Sequence, residues 1–405
     1  MEYAGQRASA FHAWNRLNIV NPASLAHLKT TTFEGGLRGA YTQLQDGDLS
    51  SNIWSANLAY LAIGMPVQNP INLLFNKKET KIQWGTGFYL KPYSVTGFEI
   101  EISDVLNGTD TFTRKYTGEG STYIVNWGNG FKYKDLSFGL NIGYLFGNTD
   151  FERRLDFGDD NPGGILNYNT VNQNINNHKA FVWNLGVMYD FVFKYEQQAD
   201  GKRGQPMKYL TVGATFNSDW NLNTKVDSLL YRENRGGSLQ TDTLFSLQGQ
   251  ELKNNLPSVL QFGINYYHGE QWDAGINLAF SKWSSYKNLS NPETRNVKDA
   301  FSLSGGFSYT PDRNSFSRFW NRVTYSAGVY YKKDPRVLEN NQIEDYGLKF
   351  GLSMPFISQR QVSYLNLGLG IGRMGVSDGY RESYVSFSLG YSLTDNEWFI
   401  KRKYD

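Results

Sequence analysis

Cysteine is absent from all 405 residues, which excludes disulfides, thiolate metal sites and a cysteine nucleophile. Histidine is nearly absent too. His12, His27, His178 and His268 are scattered without metal-ligand spacing and read as surface or interface residues. Without cysteine, zinc is not expected, nor is any other metal or cofactor. No run approaches the roughly 18 apolar residues that a membrane-spanning helix needs. A charge excess is also lacking. Forty Lys and Arg against 38 Asp and Glu leave a formal charge of +2, so there is no nucleic-acid footprint. The opening Met1-Glu-Tyr-Ala-Gly-Gln-Arg has neither a basic n-region nor an apolar h-region. The strand pattern makes little sense in a cytoplasm, so the expectation is a mature or truncated chain whose leader is missing.

What the chain does have is alternation. Val385, Phe387, Leu389, Tyr391 and Leu393 alternate with Ser386, Ser388, Gly390 and Ser392. A period of two is the signature of a strand. Leu136, Phe138, Leu140, Ile142, Tyr144 and Phe146 repeat it against Ser137, Gly139, Asn141 and Gly143, and Leu365, Leu367, Leu369 and Ile371 against Asn366, Gly368, Gly370 and Gly372. The polar face carries Gly, Ser and Asn where a soluble sandwich would carry Lys, Glu and Thr. Aromatics make up 16% of the chain, and it holds 41 glycines. Lipid on one side and a polar lumen on the other produce this pattern.

The spacing predicts strands over 30–44, 50–65, 80–91, 120–133, 136–147, 180–195, 208–218, 257–268, 272–284, 299–310, 321–332, 343–354, 362–372 and 384–393. Fourteen is an even number, as a closed bacterial barrel requires, and closure removes edges that lipid could not satisfy. The expected fold is an all-β, 14-stranded antiparallel transmembrane β-barrel with an N-terminal lumen hatch. Outer loops are expected at 45–49, 92–119, 148–179, 219–256, 285–298, 333–342 and 373–383. Periplasmic turns are expected at 66–79, 134–135, 196–207, 269–271, 311–320 and 355–361. The three longest connections fall on one side, which places both termini in the periplasm.

One domain is expected, in three parts. Residues 1–29 carry Phe11, Trp14, Leu17, Ile19 and Leu25 and end a helix-like stretch at Asn21-Pro22. They read as a hatch or plug in the lumen, with a floppy periplasmic tail as the alternative. Residues 30–393 form the barrel. Residues 394–405, with Lys401-Arg402-Lys403, form a periplasmic tail.

Residues 21–26, Asn-Pro-Ala-Ser-Leu-Ala, lead into Thr30-Thr-Thr-Phe-Glu-Gly-Gly-Leu-Arg-Gly-Ala. This resembles the start of the FadL/TodX family of outer-membrane transporters. Gly85-Thr-Gly-Phe-Tyr-Leu-Lys-Pro-Tyr-Ser, Tyr116-Thr-Gly-Glu-Gly and Trp398-Phe-Ile-Lys-Arg-Lys-Tyr-Asp are similar to the FadL-like barrels of Bacteroidetes. The resemblance spans nearly the whole chain through short motifs. It implies that hydrophobic substrate binds among the outer loops, enters the lumen, and leaves through a gap in the wall after the hatch shifts. The hatch would use Phe11, Trp14 and Leu17, with Asn21 and Pro22 as its anchor, and loops 92–119 and 148–179 would build the outer binding surface. Some relatives in that branch, such as the PorV-like barrels of the type IX secretion system, resemble partner subunits instead.

Other constellations carry less. Gly370-Ile-Gly372-Arg-Met-Gly375 matches a dinucleotide fingerprint, but it runs from strand to loop with no helix to hold a phosphate. Asp156, Asp159, Asp160 and Asn161 could stiffen a loop around calcium or form a solvated acidic turn. No strand pairs Ser with His, so an enzyme is not expected. Six charges fall on the lumen side: Glu34, Arg38, Asp190, Lys194, Asp345 and Lys349. Cations facing lipid near the midplane would cost roughly 2–4 kcal/mol each. Facing inward, the six can pair and hold the hatch, or form a selectivity ring. The expected partners are outer-membrane lipid, a small hydrophobic molecule or another outer-membrane protein. The leading function is uptake or export of a fatty acid or lipid-like molecule through a hatch-gated barrel. The alternative is a structural or partner barrel of a secretion or assembly complex. An open porin is weaker, because a plugged, small-residue lumen leaves little aqueous channel.

Overall fold

The computed structural model describes residues 7–47, 49–68, 80–106, 110–157, 168–197, 203–234, 241–286, 297–338, 340–358, 361–376 and 379–395. Met1, Asp159, Asp160, Asn161 and the motif at 398–405 lie outside these. β1 (Thr31–Asp46), β2 (Leu49–Pro66), β3 (Ile82–Leu106), β4 (Asp110–Tyr133), β5 (Leu136–Phe157), β6 (Tyr168–Gln197) and β7 (Arg203–Asn217) follow one another round a wall. After a hairpin, β8 (Trp220–Asn234) and β9 (Thr241–Leu256), the wall resumes. It continues through β10 (Val259–His268), β11 (Trp272–Ser281), β12 (Ala300–Tyr309), β13 (Thr324–Leu338), β14 (Asn341–Ser358), β15 (Gln361–Gly375) and β16 (Arg381–Asp395). β16 pairs antiparallel with β1, Phe33 opposite Leu393 and Leu37 opposite Leu389, and the ring closes on fourteen strands.

The alternation sorts the two faces. Phe181 and Phe193 stand 62% and 66% exposed on the outer face of β6. Asn141, Asn265, Asn366, Thr211 and Ser392, from the other parity, are buried in the lumen. Apolar side chains that face water at this density would be an aggregation hazard; facing lipid, they are the solvent-compatible surface of a membrane barrel.

Three expected loops are strand instead. Within 92–119, residues 92–106 and 110–119 continue β3 and β4 as a paired ribbon, and within 148–179, residues 148–157 and 168–179 continue β5 and β6. Within 219–256, Trp220–Asn234 and Thr241–Leu256 are β8 and β9. β6 explains how the hairpin attaches: its Asn184–Gln197 half pairs with β7, while Tyr168–Lys179 pairs with β8. Thirty residues at about 3.3 Å each give β6 a length of about 100 Å, whereas 9–11 tilted residues cross a bilayer. A six-stranded sheet, β3-β4-β5-β6-β8-β9, therefore stands beyond the barrel on the side of the long connections. The predicted strand at 321–332 begins at Thr324, after a helical turn at Phe319–Arg322. The one predicted at 272–284 ends at Ser281, before a 3-10 turn at Trp283–Ser285.

Candidate functional site

Residues 7–29 touch the inner side of most of the wall. Arg7 bonds Asp273 of β11 and Ser308 of β12, the latter at 2.5 Å. The Ser9 N–H donates to Asn277 Oδ1 at 3.0 Å. The Leu17 N–H donates to Glu34 of β1 at 2.9 Å, and the Tyr60 hydroxyl of β2 donates to the same carboxylate at 3.0 Å. The Arg16 guanidinium lies 4.8 Å over the Tyr364 ring of β15. A short segment that meets strands on opposite sides of a closed ring lies inside it.

The local fold of the segment follows from its sequence. Asn21 caps a 3-10 turn, Pro22–His27, its side chain accepting from the Ala23 N–H at 3.0 Å. Pro22 follows at the first turn position, where a missing N–H costs nothing. The Asn21 amide also donates to Ser9 O at 2.7 Å and reaches Val187 O of β6 and Ala214 O of β7 at 3.3 and 3.4 Å. Asn18 ties two further carbonyls, Ala8 and Phe11, at 2.6 and 2.8 Å. Leu17, Leu25 and Leu28 pack together against Ala62 as a small apolar core. The wall makes room with glycine. A Cβ at Gly85 would fall 1.9 Å from Leu25 O, and one at Gly213 would fall 2.0 Å from Ser9 O. Both positions need glycine because the backbone of the segment lies directly against them.

Among the residues singled out from sequence, Phe11, Leu17, Asn21 and Pro22 are buried in this packing, whereas Trp14 is partly exposed and gives its carbonyl to the Lys29 N–H at 2.8 Å. Of the six charges, Glu34, Asp190 and Lys349 are buried. Asp345 accepts from Tyr384 at 2.6 Å, and Lys349 lies 5.2 Å over the Tyr330 ring. Arg38 is exposed on the wall of a recess. Lys194 is exposed where β6 and β7 lose register.

The histidine expectation needs correction. His12 and His27 are not surface residues; their rings stack at 3.8 Å inside the lumen. His12 Nε2 lies 3.2 Å from Asp190 Oδ1 and 3.1 Å from Thr211 Oγ1, and Lys132 reaches Asp190 Oδ2 at 2.5 Å. Burial, then the neighbouring His12 and Lys132, pushes the His27 pKa well below 6.5. Burial also lowers the Arg7 pKa to about 10. The group lines a cavity of about 650 Å³ at the short-turn end, beside Lys134, Asp135 and Gly269. His27 Nε2 meets Ser137 Oγ at 3.0 Å, a Ser–His pair that strand-by-strand reading misses. Ser137 is fully buried, so it is not a reachable nucleophile. Sequence distance hid this cluster: its members come from both ends of the segment and from four strands.

Two further features concern the wall. β2 pairs with β3 only where Leu61–Pro66 faces Gly85–Leu90. Above that level the two strands separate, while β3 stays paired to β4 along its length. A mostly apolar recess of about 450 Å³ lies there, lined by Ile19, Gly36, Leu58, Tyr60, Pro92 and Val95. On the β4–β5–β6 side the lumen is filled: Ile124, Leu145, Ala180, Val182 and Leu256 are buried under Trp220, Leu222 and Tyr286.

The outer sheet has two unlike faces. On β4, Tyr116 and Gly118 continue the lumen parity of Ile124 and Asn126. Their partners Phe98, Ile100 and Phe151 expose an apolar cluster, which shares its face with Arg153, 5.4 Å over the Tyr116 ring, with the Arg114–Asp104 pair and, farther across the sheet, with Phe245. The opposite face is charged, with Lys115 on Glu99 and Arg154 held by Asp156 (2.9 Å) and Glu233. The edges at β3 and β9 have no further strand partner among the described residues.

Ring closure, an apolar outer face, a small polar lumen and a segment inside it define a fourteen-stranded antiparallel β-barrel of the kind that crosses a membrane with strands. Within that class the chain belongs to the BamG family, whose profile matches residues 8–405. No curated protein matches the sequence. Among solved structures, the Pseudomonas putida toluene transporter TodX is similar over 98% of this chain and 96% of its own, at 16% identity and a TM-score of 0.55. The Ralstonia pickettii toluene transporter TbuX aligns over 97% and 96%, at 13% identity and 0.57. A Pseudomonas aeruginosa FadL homologue aligns over 96% and 95%, at 13% and 0.57. At these identities the likeness is one of fold.

Proposed function

We propose that this barrel serves in the outer membrane as a partner subunit of a larger assembly, with the sheet beyond the barrel as the surface its partner meets. The observation that carries this reading is the exposed apolar cluster of Phe98, Ile100 and Phe151, displayed outside the membrane-crossing part of the wall. Contiguous apolar surface that faces neither lipid nor core marks an interaction site. Two open edges add main-chain donors and acceptors that a partner strand can pair with. Side chains of the chain itself fill one side of the lumen, and fixed hydrogen bonds hold residues 7–29 against the wall. In this reading the N-terminal segment, described from Arg7 to Lys29, is a resident plug, and the short turns face the periplasm.

A specific observation favours a second reading, lateral passage of a small hydrophobic molecule. The separation of β2 from β3 beside an apolar recess gives such a molecule an exit into lipid. Burial there would stabilise it by roughly 25 cal/mol per Å². Phe11, Trp14, Leu17, Asn21 and Pro22 would then be the movable gate.

Gentle extraction from native membranes, followed by native mass spectrometry and cross-linking, tests the two. The expected result is a stoichiometric complex whose cross-links map to the apolar sheet face, and which Phe98→Asn with Phe151→Asn dissociates without unfolding the barrel. A partner-free barrel carrying an apolar small molecule, lost when Asn21 is altered, would overturn the partner reading in favour of passage.

A further inference from the structure

We propose that His12, His27 and Asp190 form a binding site for a divalent transition-metal cation, which ties the luminal segment to the barrel wall. The three residues each offer one ligand atom, and those atoms lie within 4.8 Å of one another. His12 Nε2 and Asp190 Oδ1 are 3.2 Å apart. A tetrahedral cation with bonds of about 2.0–2.1 Å sets its ligand atoms about 3.3–3.4 Å apart. That edge of the site is therefore already at binding distance. His27 closes the set by turning its ring, exchanging its 3.0 Å contact with Ser137 Oγ for the cation.

The chemistry of the donors fits. Two imidazoles and one carboxylate suit zinc, cobalt or nickel and ill suit calcium or magnesium, which prefer all-oxygen shells. The outer shell is in place as well. Thr211 Oγ1 donates to Asp190 Oδ1 at 2.7 Å, and Lys132 occupies Oδ2 at 2.5 Å, leaving Oδ1 toward the histidines. Tyr267 accepts the His12 N–H at 2.9 Å and stacks near Tyr209 at 4.5 Å, fixing that side. Such outer partners orient ligands. All three ligands line the cavity of about 650 Å³ at the short-turn end, which gives a cation a way in and leaves a fourth position for water.

The arrangement is also asymmetric in a way that matters. Both imidazoles belong to the luminal segment, and the carboxylate belongs to β6. A bound cation is thus a cross-link between the two, and the segment cannot leave the wall without releasing it. Lys132 opposes the cation by its own charge, so the site is tuned below its full affinity.

The full chain in detergent, stripped with a chelator, would be titrated with cobalt(II) and followed by ligand-field absorption. The zinc content of protein from native membranes would be measured alongside. One cation per chain is expected, with His12→Gln and His27→Gln each weakening binding at least tenfold and Lys132→Gln strengthening it severalfold. The histidine variants keep the Asp190–Lys132 pair, and heat-dependent gel migration reports whether their barrels have closed. Absence of stoichiometric cobalt binding in the wild type, or binding that the histidine variants leave unchanged, would overturn the site.

Discussion

Asn21 is where local structure and luminal packing meet in a single side chain. It caps one turn and reaches carbonyls of the segment, β6 and β7. Losing a cap costs about 0.5–2 kcal/mol, and stripping donors from buried carbonyls adds about 1–3 kcal/mol. Asn21→Ala should therefore weaken docking of residues 7–29 by about 2–4 kcal/mol. Hydrogen exchange of those amides would show it as faster exchange within a barrel that stays closed. Asn21 and Pro22 were legible from sequence because cap and turn chemistry are local. The His12–His27–Asp190 contact was not, since it exists only once the segment lies on β6. That contact has a pH signature. His27 has a folded pKa below its ordinary 6.5, facing His12, Lys132, Lys29 and Asp190. Below pH 6.5 the undocked segment binds more protons than the docked one, so docking weakens as pH falls from 6.5 toward the folded value and is steady above 6.5. Protease release of the segment should rise on acidification, and His27→Phe should flatten that rise; an unchanged pH profile in the variant would assign the effect to other groups.

At the scale of the element, the strands that cross the membrane were readable and the strands beyond it were not. Lipid forces one face to be wholly apolar, so the period of two is unmistakable over about ten residues. Past the bilayer that demand ends. Phe98-Glu-Ile-Glu-Ile still alternates, but its charged face looks like a loop to a reading tuned to membrane strands. The transition is built into the backbone. Gly120 of β4 has φ +116 and Gly147 of β5 has φ +140, on neighbouring strands at the level where the sheet leaves the ring. A Cβ at Gly120 would fall 2.3 Å from Asn148 O. Gly120→Val should thus cost at least about 1–3 kcal/mol in backbone strain alone. The loss should localise: the outer sheet becomes protease-sensitive while the barrel keeps its heat-dependent gel migration. Global failure to form the barrel would mean that the outer sheet and the ring fold as one unit.

At the scale of the whole molecule, the number of strands and the content of the lumen are separate facts with separate tests. Strand number followed from counting alternations, because closure permits no unpaired edge in lipid. Which parts of the chain fill the lumen did not follow, because Gly, Ser and Asn on the inner face say only that something lies close or that water does. The geometry resolves it at particular residues: Gly85 and Gly213 face backbone of the segment, and Glu34 and Asp190 are satisfied by it. The ring itself does not depend on the segment, since β1 closes directly on β16 from Thr31 opposite Asp395 to Gln45 opposite Arg381. Removing residues 1–29 should therefore leave a closed barrel with a wetted lumen at its short-turn half. Reconstituted in a planar bilayer, that variant should show conductance steps that the full chain lacks. Equal conductance in the two would mean that the apolar cluster of Ile124, Leu145 and Val182 under Trp220 and Tyr286 is the true barrier. Opening Trp220→Ala in the truncated chain would then be the change that lets ions through.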